Sequence, residues 1–222
     1  MHNKPLKNYR TISIGVSCLI VIISLVLYFF LIWPKQKYYY AHHINIKGIY
    51  LLHPLAIQEF ELLDTQNKRF TKKNLQGHWS MLFFGFTHCG LVCPTTLNTL
   101  NKMYVILKRQ LPENKLPHVV FITVDPERDT MAALKNYVTA FNTHFLGAKT
   151  TADDTATIEN QFHIASTKTR VHSQNGNDYT IAHSAEILLV NPDAKIQAYF
   201  SYPQQPEQMV ADYYAILGSV YH

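Results

Sequence analysis

From Ile12 to Trp33 the chain carries no charged residue and is almost wholly apolar. A helix rises about 1.5 Å per residue, so this run spans roughly 30 Å, the hydrocarbon thickness of a bilayer. A helix buried in a soluble domain seldom stays apolar on every face for so long. A cleaved signal peptide has a shorter apolar region with small residues after it. Here the run ends in Phe29, Phe30, Leu31, Ile32, Trp33 and Pro34. Tyr28, Trp33 and Tyr38 to Tyr40 suit an interfacial aromatic belt. The expectation is an uncleaved, single transmembrane anchor over 12–33. Lys4, Lys7 and Arg10 precede it, and Lys35 and Lys37 follow. The positive-inside rule then favours residues 1–11 in the cytoplasm. The rest would face the periplasm, from an inner (cytoplasmic) membrane. Cys18, early in the run, reads as a small apolar filler.

The whole chain has 222 residues, 47% apolar and 16% charged, which suits one globular domain behind the anchor. A net charge of +5 and a pI near 9.0 raise the question of nucleic acid. The basic residues are scattered, with no stripe of interleaved aromatics, so nucleic-acid binding is not expected. Residues 34–53 read as a linker and 54–222 as the domain. Ile57 to Leu63 alternates loosely as a strand, with a polar turn over Asp64 to Lys68. Ser80 to Phe86 and His118 to Val124 are apolar runs of buried-strand type. Pro94 to Gln110 carries Leu97, Leu100, Tyr104 and Leu107 at helical spacing. Asp129 or Thr130 caps a further helix that runs to about Phe141. Ile158 to Phe162 is a short helical segment. Ala185 to Val190 and Lys195 to Phe200 flank a turn at Asn191-Pro192-Asp193-Ala194, a β-hairpin. Pro206 opens a last helix with Met209, Val210, Tyr213, Tyr214 and Leu217 on its apolar side. This order predicts an α/β, thioredoxin-like domain with an added β-hairpin.

Chemistry concentrates in Phe83-Phe84-Gly85-Phe86-Thr87-His88-Cys89-Gly90-Leu91-Val92-Cys93-Pro94. Cys89 and Cys93 lie four positions apart, between a buried strand and a helix. On a helix starting near Cys89 they share a face; with a later start, a loop still converges them. The first helical turn offers unpaired N–H groups and a positive dipole end, which lower a thiol's pKa. The resulting thiolate is both nucleophile and metal ligand. Soft thiolates favour Cu(I) or zinc. Structural zinc usually takes four closed ligands, and only two cysteines lie outside the apolar run. A third ligand would then be an imidazole, and a Cys₂His site suits copper. Spacing alone leaves two other readings open: a pair of buried thiols, or a stabilising disulfide, since helical i,i+4 Cα atoms lie about 6 Å apart.

At these residues the chain resembles the Sco (SCO1/SenC) family of copper-binding proteins. Three motifs carry the likeness, over about Pro54 to Leu217: Phe83 to Leu97, FFGFTHCGLVCPTTL; Phe121 to Thr130, FITVDPERDT; and Tyr179 to Ile196, YTIAHSAEILLVNPDAKI. The resemblance implies a thioredoxin fold binding one copper ion, Cu(I) or Cu(II), through Cys89, Cys93 and His183. It also implies a part in assembling the dinuclear copper centre of cytochrome c oxidase subunit II, by delivering copper, by reducing that subunit's cysteines, or both. The same two cysteines are the candidate redox-active disulfide. Without the resemblance His183 is one histidine among twelve.

Two positions depart from the family pattern. Gly90-Leu91 stands where Pro-Asp is usual, and Ala182 where Asp is usual before the histidine. Each removes a carboxylate that would support the site or dock a partner. Asp125-Pro126-Glu127-Arg128-Asp129 reads as a turn and helix cap. His88 adjoins Cys89 but points elsewhere on a helix or strand. The rival readings are a membrane-anchored thiol–disulfide oxidoreductase without a metal role, and a peroxide-reducing enzyme, against which the paired spacing and His183 speak.

Overall fold

The computed structural model describes residues 17, 19–32, 46–170 and 179–220. The N-terminal part separates from the rest as its own unit. Within it residues 19–27 are helical and continue into a π-helical turn, Tyr28–Ile32. Its aliphatic side chains are largely solvent-facing. Among the described residues no helix is long and apolar enough to cross a membrane. Residues 12–16, Cys18 and Trp33 of the expected anchor, together with Tyr38 to Tyr40, lie outside the described residues.

The larger unit is a mixed α/β fold built on one eight-stranded sheet. Its strands are β1 (Ile49–Ala56), β2 (Glu61–Asp64), β3 (Arg69–Thr71), β4 (Ser80–Gly85), β5 (His118–Thr123), β6 (Leu146–Lys149), β9 (Ile187–Val190) and β10 (Lys195–Phe200). The spatial order is β1-β10-β9-β4-β5-β6-β2-β3. The central strands β4, β5 and β6 are parallel, as crossover helices require. Those helices are α1 (Val92–Gln110), between β4 and β5, and α2 (Met131–Phe141), between β5 and β6. A short α3 (Thr155–Gln161) and a final α4 (Pro206–Val220) complete the helices. A separate two-stranded antiparallel ribbon pairs β7 (Ser166–Arg170) with β8 (Tyr179–His183).

All six residues of β4 are buried, so both faces of the sheet are covered there. Trp79, Phe83, Phe84, Phe121, Phe162 and Tyr213 are the largest side chains of the core. β9 and β10 form the expected hairpin, and Asn191 closes its turn by accepting from the Asp193 and Lys195 amides at 3.1 Å each. The hairpin joins β4 antiparallel through β9.

Three expectations need correction. The linker read over 34–53 ends sooner, because Ile49–Ala56 is a strand. Pro54 is tolerated in this strand because β1 lies at the sheet edge and its register slips between Tyr50 and Leu55, where a missing amide donor is not needed. The strand expected over Ile57 to Leu63 starts only at Glu61 and runs through Asp64, the first residue of the expected turn. The helix expected from Pro94 begins two residues earlier, at Val92. Proline in a first turn costs nothing there, since its missing N–H would have had no helical partner.

Candidate metal centre

Gly85 ends β4, and a loop from Phe86 to Leu91 leads into α1. Cys93 occupies the first turn of α1, on the same stripe as Leu97, Leu100 and Leu107, all fully buried. Its register on this stripe explains why the thiol points into the core. A Cβ at Gly85 would lie 2.8 Å from Cys93 Sγ and 2.8 Å from Phe121 Cε2. Only glycine leaves room for the sulfur there. Cys89 precedes the helix and is half-buried. The Cys93 amide donates to Cys89 Sγ at 3.4 Å.

His183 is the last residue of β8. Its Nδ1 faces the Ser184 carbonyl at 2.8 Å. A carbonyl only accepts, so Nδ1 carries a proton and Nε2 is the ring nitrogen turned to the site. That nitrogen lies 3.3 Å from Cys93 Sγ. The ring is flanked by Phe83 and Phe86, with centroids 6.2 and 5.8 Å away. The two sulfurs and the imidazole nitrogen all lie within 4.8 Å of one another. This is the sole grouping of three or more such ligand side chains among the described residues. Both cysteines are free thiols in this structure.

The two thiols are electrostatically unlike. Cys89 is pulled from the usual 9.0 down to about 3 by a hydrogen bond from the Cys93 side chain, against a desolvation penalty, with further help from His183 and the Cys93 and Leu91 amides. Cys93 is pushed up by its bond to Cys89 and by burial. The pair therefore holds one proton near neutrality, with Cys89 as the thiolate and Cys93 as its donor. A charged, half-exposed thiolate beside an imidazole suits a soft cation.

His88 does not join this grouping. Its Nδ1 lies 3.1 Å from Thr87 Oγ1 and 3.5 Å from Asp129 Oδ1, and its side chain is more than half exposed. The two departures from the family pattern fall on the rim: Leu91 is 69% exposed, a Cβ at Gly90 would meet nothing, and Ala182 is exposed.

The segment read as a turn and cap does more than that. Thr130 is indeed the N-cap of α2, accepting from the Ala133 amide at 3.1 Å. Asp129 is fully buried and accepts from the Thr87 amide (3.0 Å), Thr87 Oγ1 (2.6 Å) and Thr123 Oγ1 (2.5 Å). It thus fixes the loop that bears Cys89. Asp125, also fully buried, accepts from the Tyr179 hydroxyl at 2.6 Å and pairs with the Arg128 guanidinium. Arg128 in turn donates to the Tyr179 carbonyl at 2.9 Å and stacks over the Tyr179 ring at 3.7 Å. That holds β8, the strand ending in His183. One short segment therefore braces both carriers of the grouped side chains. The signal available in the sequence was two aspartates flanking an arginine directly after a buried strand.

Fold and site together define a thioredoxin-like protein with a paired-thiol and imidazole centre at the end of the central strands. Residues 52–218 match the SCO1/SenC family profile, and the chain belongs to that family. It is 38% identical over 150 residues to "Protein SCO2 homolog, mitochondrial" of Danio rerio, covering 64% of this chain and 50% of the relative. The chain spans about half the length of the curated vertebrate relatives it matches. Among solved structures, Bradyrhizobium japonicum ScoI with copper bound superposes with a TM-score of 0.63 at 31% identity, over 72% of this chain and 98% of that one. Yeast Sco1 with copper bound gives 0.66 at 28% identity, over 76% and 90%.

Proposed function

We propose that this protein binds one copper ion through Cys89, Cys93 and His183 and acts in the assembly of cytochrome c oxidase. The observation that carries the reading is the convergence of two sulfurs and one imidazole nitrogen within 4.8 Å. Two thiolates and a nitrogen suit Cu(I), and the imidazole also accommodates Cu(II). The copper-bound relatives support the same reading. The finer role is delivery of the ion to the dinuclear site of oxidase subunit II, or reduction of that subunit's cysteines. A three-ligand centre leaves a position through which an incoming ligand attacks before the old one departs. Loss of acidic side chains at Leu91 and Ala182 makes the rim less negative, which favours a partner surface that is not strongly basic.

The deciding experiment is anaerobic reconstitution with Cu(I), followed by metal analysis and X-ray absorption. One copper per chain with two sulfurs and one nitrogen is expected. A copper shell without sulfur would end this reading.

A second reading has its own supporting observation. Cys89 is a half-exposed thiolate with Cys93 beside it as a resolving thiol, the arrangement of a thiol–disulfide exchanger. Oxidation would join the two as a disulfide. Reduction of a protein disulfide that persists in His183→Ala and under copper chelation would favour it.

We further propose that residues 12–33 anchor the chain in the inner membrane, with 1–11 cytoplasmic and the domain in the periplasm. The support is the uncharged length of that run and its flanking charges. Extraction of the protein from membranes by alkaline carbonate alone would overturn it.

A further inference from the structure

The turn that braces both carriers of the site is itself held from behind. β4, β5 and β6 run parallel, with Gly85 paired to Thr123 and Ile122 to Ala148, so their last residues stand in a row at one end of the sheet. From the end of β4 the chain enters the loop bearing Cys89, and from the end of β5 it enters the turn over residues 125–129. β6 ends on Lys149, whose backbone is in register with Leu63 of β2 on its far side. The ammonium therefore starts from a rigid frame, level with the site.

Lys149 Nζ donates to two carbonyls of that turn, Pro126 and Asp129, at 2.7 Å each. These are the short distances of charge-assisted bonds. Pro126 and Asp129 are buried, and a buried carbonyl needs such a donor. Between them the turn closes on itself, the Asp129 amide donating to the Asp125 carbonyl at 3.0 Å. One ammonium thus spans the turn from its second residue to its last. On its other side the turn reaches both ways. Asp129 holds the amide and hydroxyl of Thr87, in the Cys89 loop. Asp125 and Arg128 hold Tyr179, at the start of the strand that ends in His183. A shift of the turn is therefore a shift of both carriers. The turn also bears two fully buried carboxylates, and Arg128 is committed to that of Asp125. Lys149 brings a positive charge to the Asp129 end.

We propose that Lys149 is the positioning residue of the metal centre: clamped on the Pro126 and Asp129 carbonyls, it sets how far the sulfur side stands from the imidazole side. The proposal rests on the reading of Cys89, Cys93 and His183 as a copper centre. Lys149 touches none of the three and acts only through the turn. Groups that orient a metal ligand directly are worth about 10- to 100-fold in affinity. Lys149 works one step further back, which places its effect at the low end, about tenfold.

The test compares full-length wild type with Lys149→Met, which keeps the stem and removes the donor, and Lys149→Arg, which restores it. Cu(I) affinity is read anaerobically by competition with a chelator, and amide exchange is followed in the metal-free protein. Lys149→Met should bind Cu(I) about tenfold more weakly. Lys149→Arg should recover most of that loss, because a guanidinium also donates to two carbonyls. Without metal, the Thr87 and Ser184 amides, one on each carrier, should both exchange faster in Lys149→Met while β4 and β5 stay protected. Asn191→Ala is the control: it loosens the hairpin turn beside the Ser80 end of β4 and should leave copper affinity unchanged. Lys149 is half-buried, so Lys149→Met is expected to fold, which circular dichroism checks. Lys149→Gln, with a single donor left, replaces it otherwise, with the same direction of change expected. Unchanged affinity in Lys149→Met, or an equal loss in Lys149→Arg, would overturn the proposal. Quickening at only one of the two amides would do the same. None of these results touches the copper reading, which fails only if wild type itself takes no Cu(I) on sulfur. In that event the exchange data still decide whether Lys149 holds both carriers.

Discussion

Cys93 and His183 lie 3.3 Å apart but are held by unlike parts of the molecule. Cys93 is built into the core, on the buried stripe of a 19-residue helix that follows a wholly buried strand of the sheet. His183 ends a two-stranded ribbon that is hydrogen-bonded to no strand of the main sheet and is largely exposed along β7. The ribbon depends on a few polar contacts: the Tyr179 hydroxyl on Asp125, Arg128 on the Tyr179 carbonyl, and the backbone bond from the Ser184 amide to the Ala165 carbonyl at 3.0 Å. The lesson is a division of labour. The sulfur side is fixed by the fold itself, whereas the nitrogen side is fixed by a few polar contacts and can be loosened without unfolding the domain.

The sharpest way to break this contrast is to remove each ligand in turn. Cys93→Ser should abolish copper binding, a loss of more than about a hundredfold, because a soft anionic donor is replaced by a neutral hydroxyl. His183→Ala should keep the ion on two sulfurs and weaken it by about 10- to 100-fold. Competition with a chromophoric Cu(I) chelator measures both. Equal losses would mean that the ribbon is as integral to the site as the helix.

Backbone space provides the next test. Gly85→Ala puts a methyl group 2.8 Å from Cys93 Sγ and 2.8 Å from Phe121. Overpacking of this kind costs about 1–3 kcal/mol, read as a lowered denaturation midpoint, and should displace the sulfur enough to weaken copper as well.

Tyr179→Phe addresses the ribbon side and should cost about 1 kcal/mol, since it removes the donor to Asp125. Amide exchange should quicken in β7 and β8 and remain slow in α1. Uniform quickening would show that ribbon and helix open together.

The smallest effect concerns pH and the reduced, metal-free protein. Cys89 is depressed from 9.0 to about 3, so its contribution to stability is complete above about pH 9 and declines as the pH falls toward about 3. Cys93 is raised, so its contribution is complete below its ordinary 9.0 and lost as the pH rises beyond that. Together the pair favours greatest stability near pH 9. Anaerobic denaturation of wild type against Cys89→Ser, from about pH 5 to about pH 9, should show a rising difference. A flat difference would mean that the two thiols do not share a proton.

Legibility in the sequence followed the same divide. β4 and β5 stood out as apolar runs and α1 and α4 as periodic stripes, because burial on one or both faces dictates those patterns, while β9 and β10 were marked by the turn between them and α2 by its cap. β7, Ser-Thr-Lys-Thr-Arg, is polar on both faces and gives no such signal. β3 and β6 are three and four residues long, too short for periodicity to register. The cysteine pair was visible from spacing, yet His183 was singled out only by resemblance. Asp125 and Asp129 looked like turn residues because their partners, Tyr179 and Thr87, lie 54 and 42 positions away. Long-range polar contacts leave no local trace in a chain.

The start of α1 has a consequence of its own. Leu91 is the N-cap and contributes no side-chain hydrogen bond, so the opening turn relies on Cys89 Sγ as acceptor for the Cys93 amide. Whatever happens to that sulfur, whether metallation, oxidation or attack on a partner's disulfide, is felt at once by a backbone proton. The amide resonance of residue 93 in a nitrogen-15-labelled sample is therefore an intrinsic gauge of the centre's chemical state, readable without an added dye.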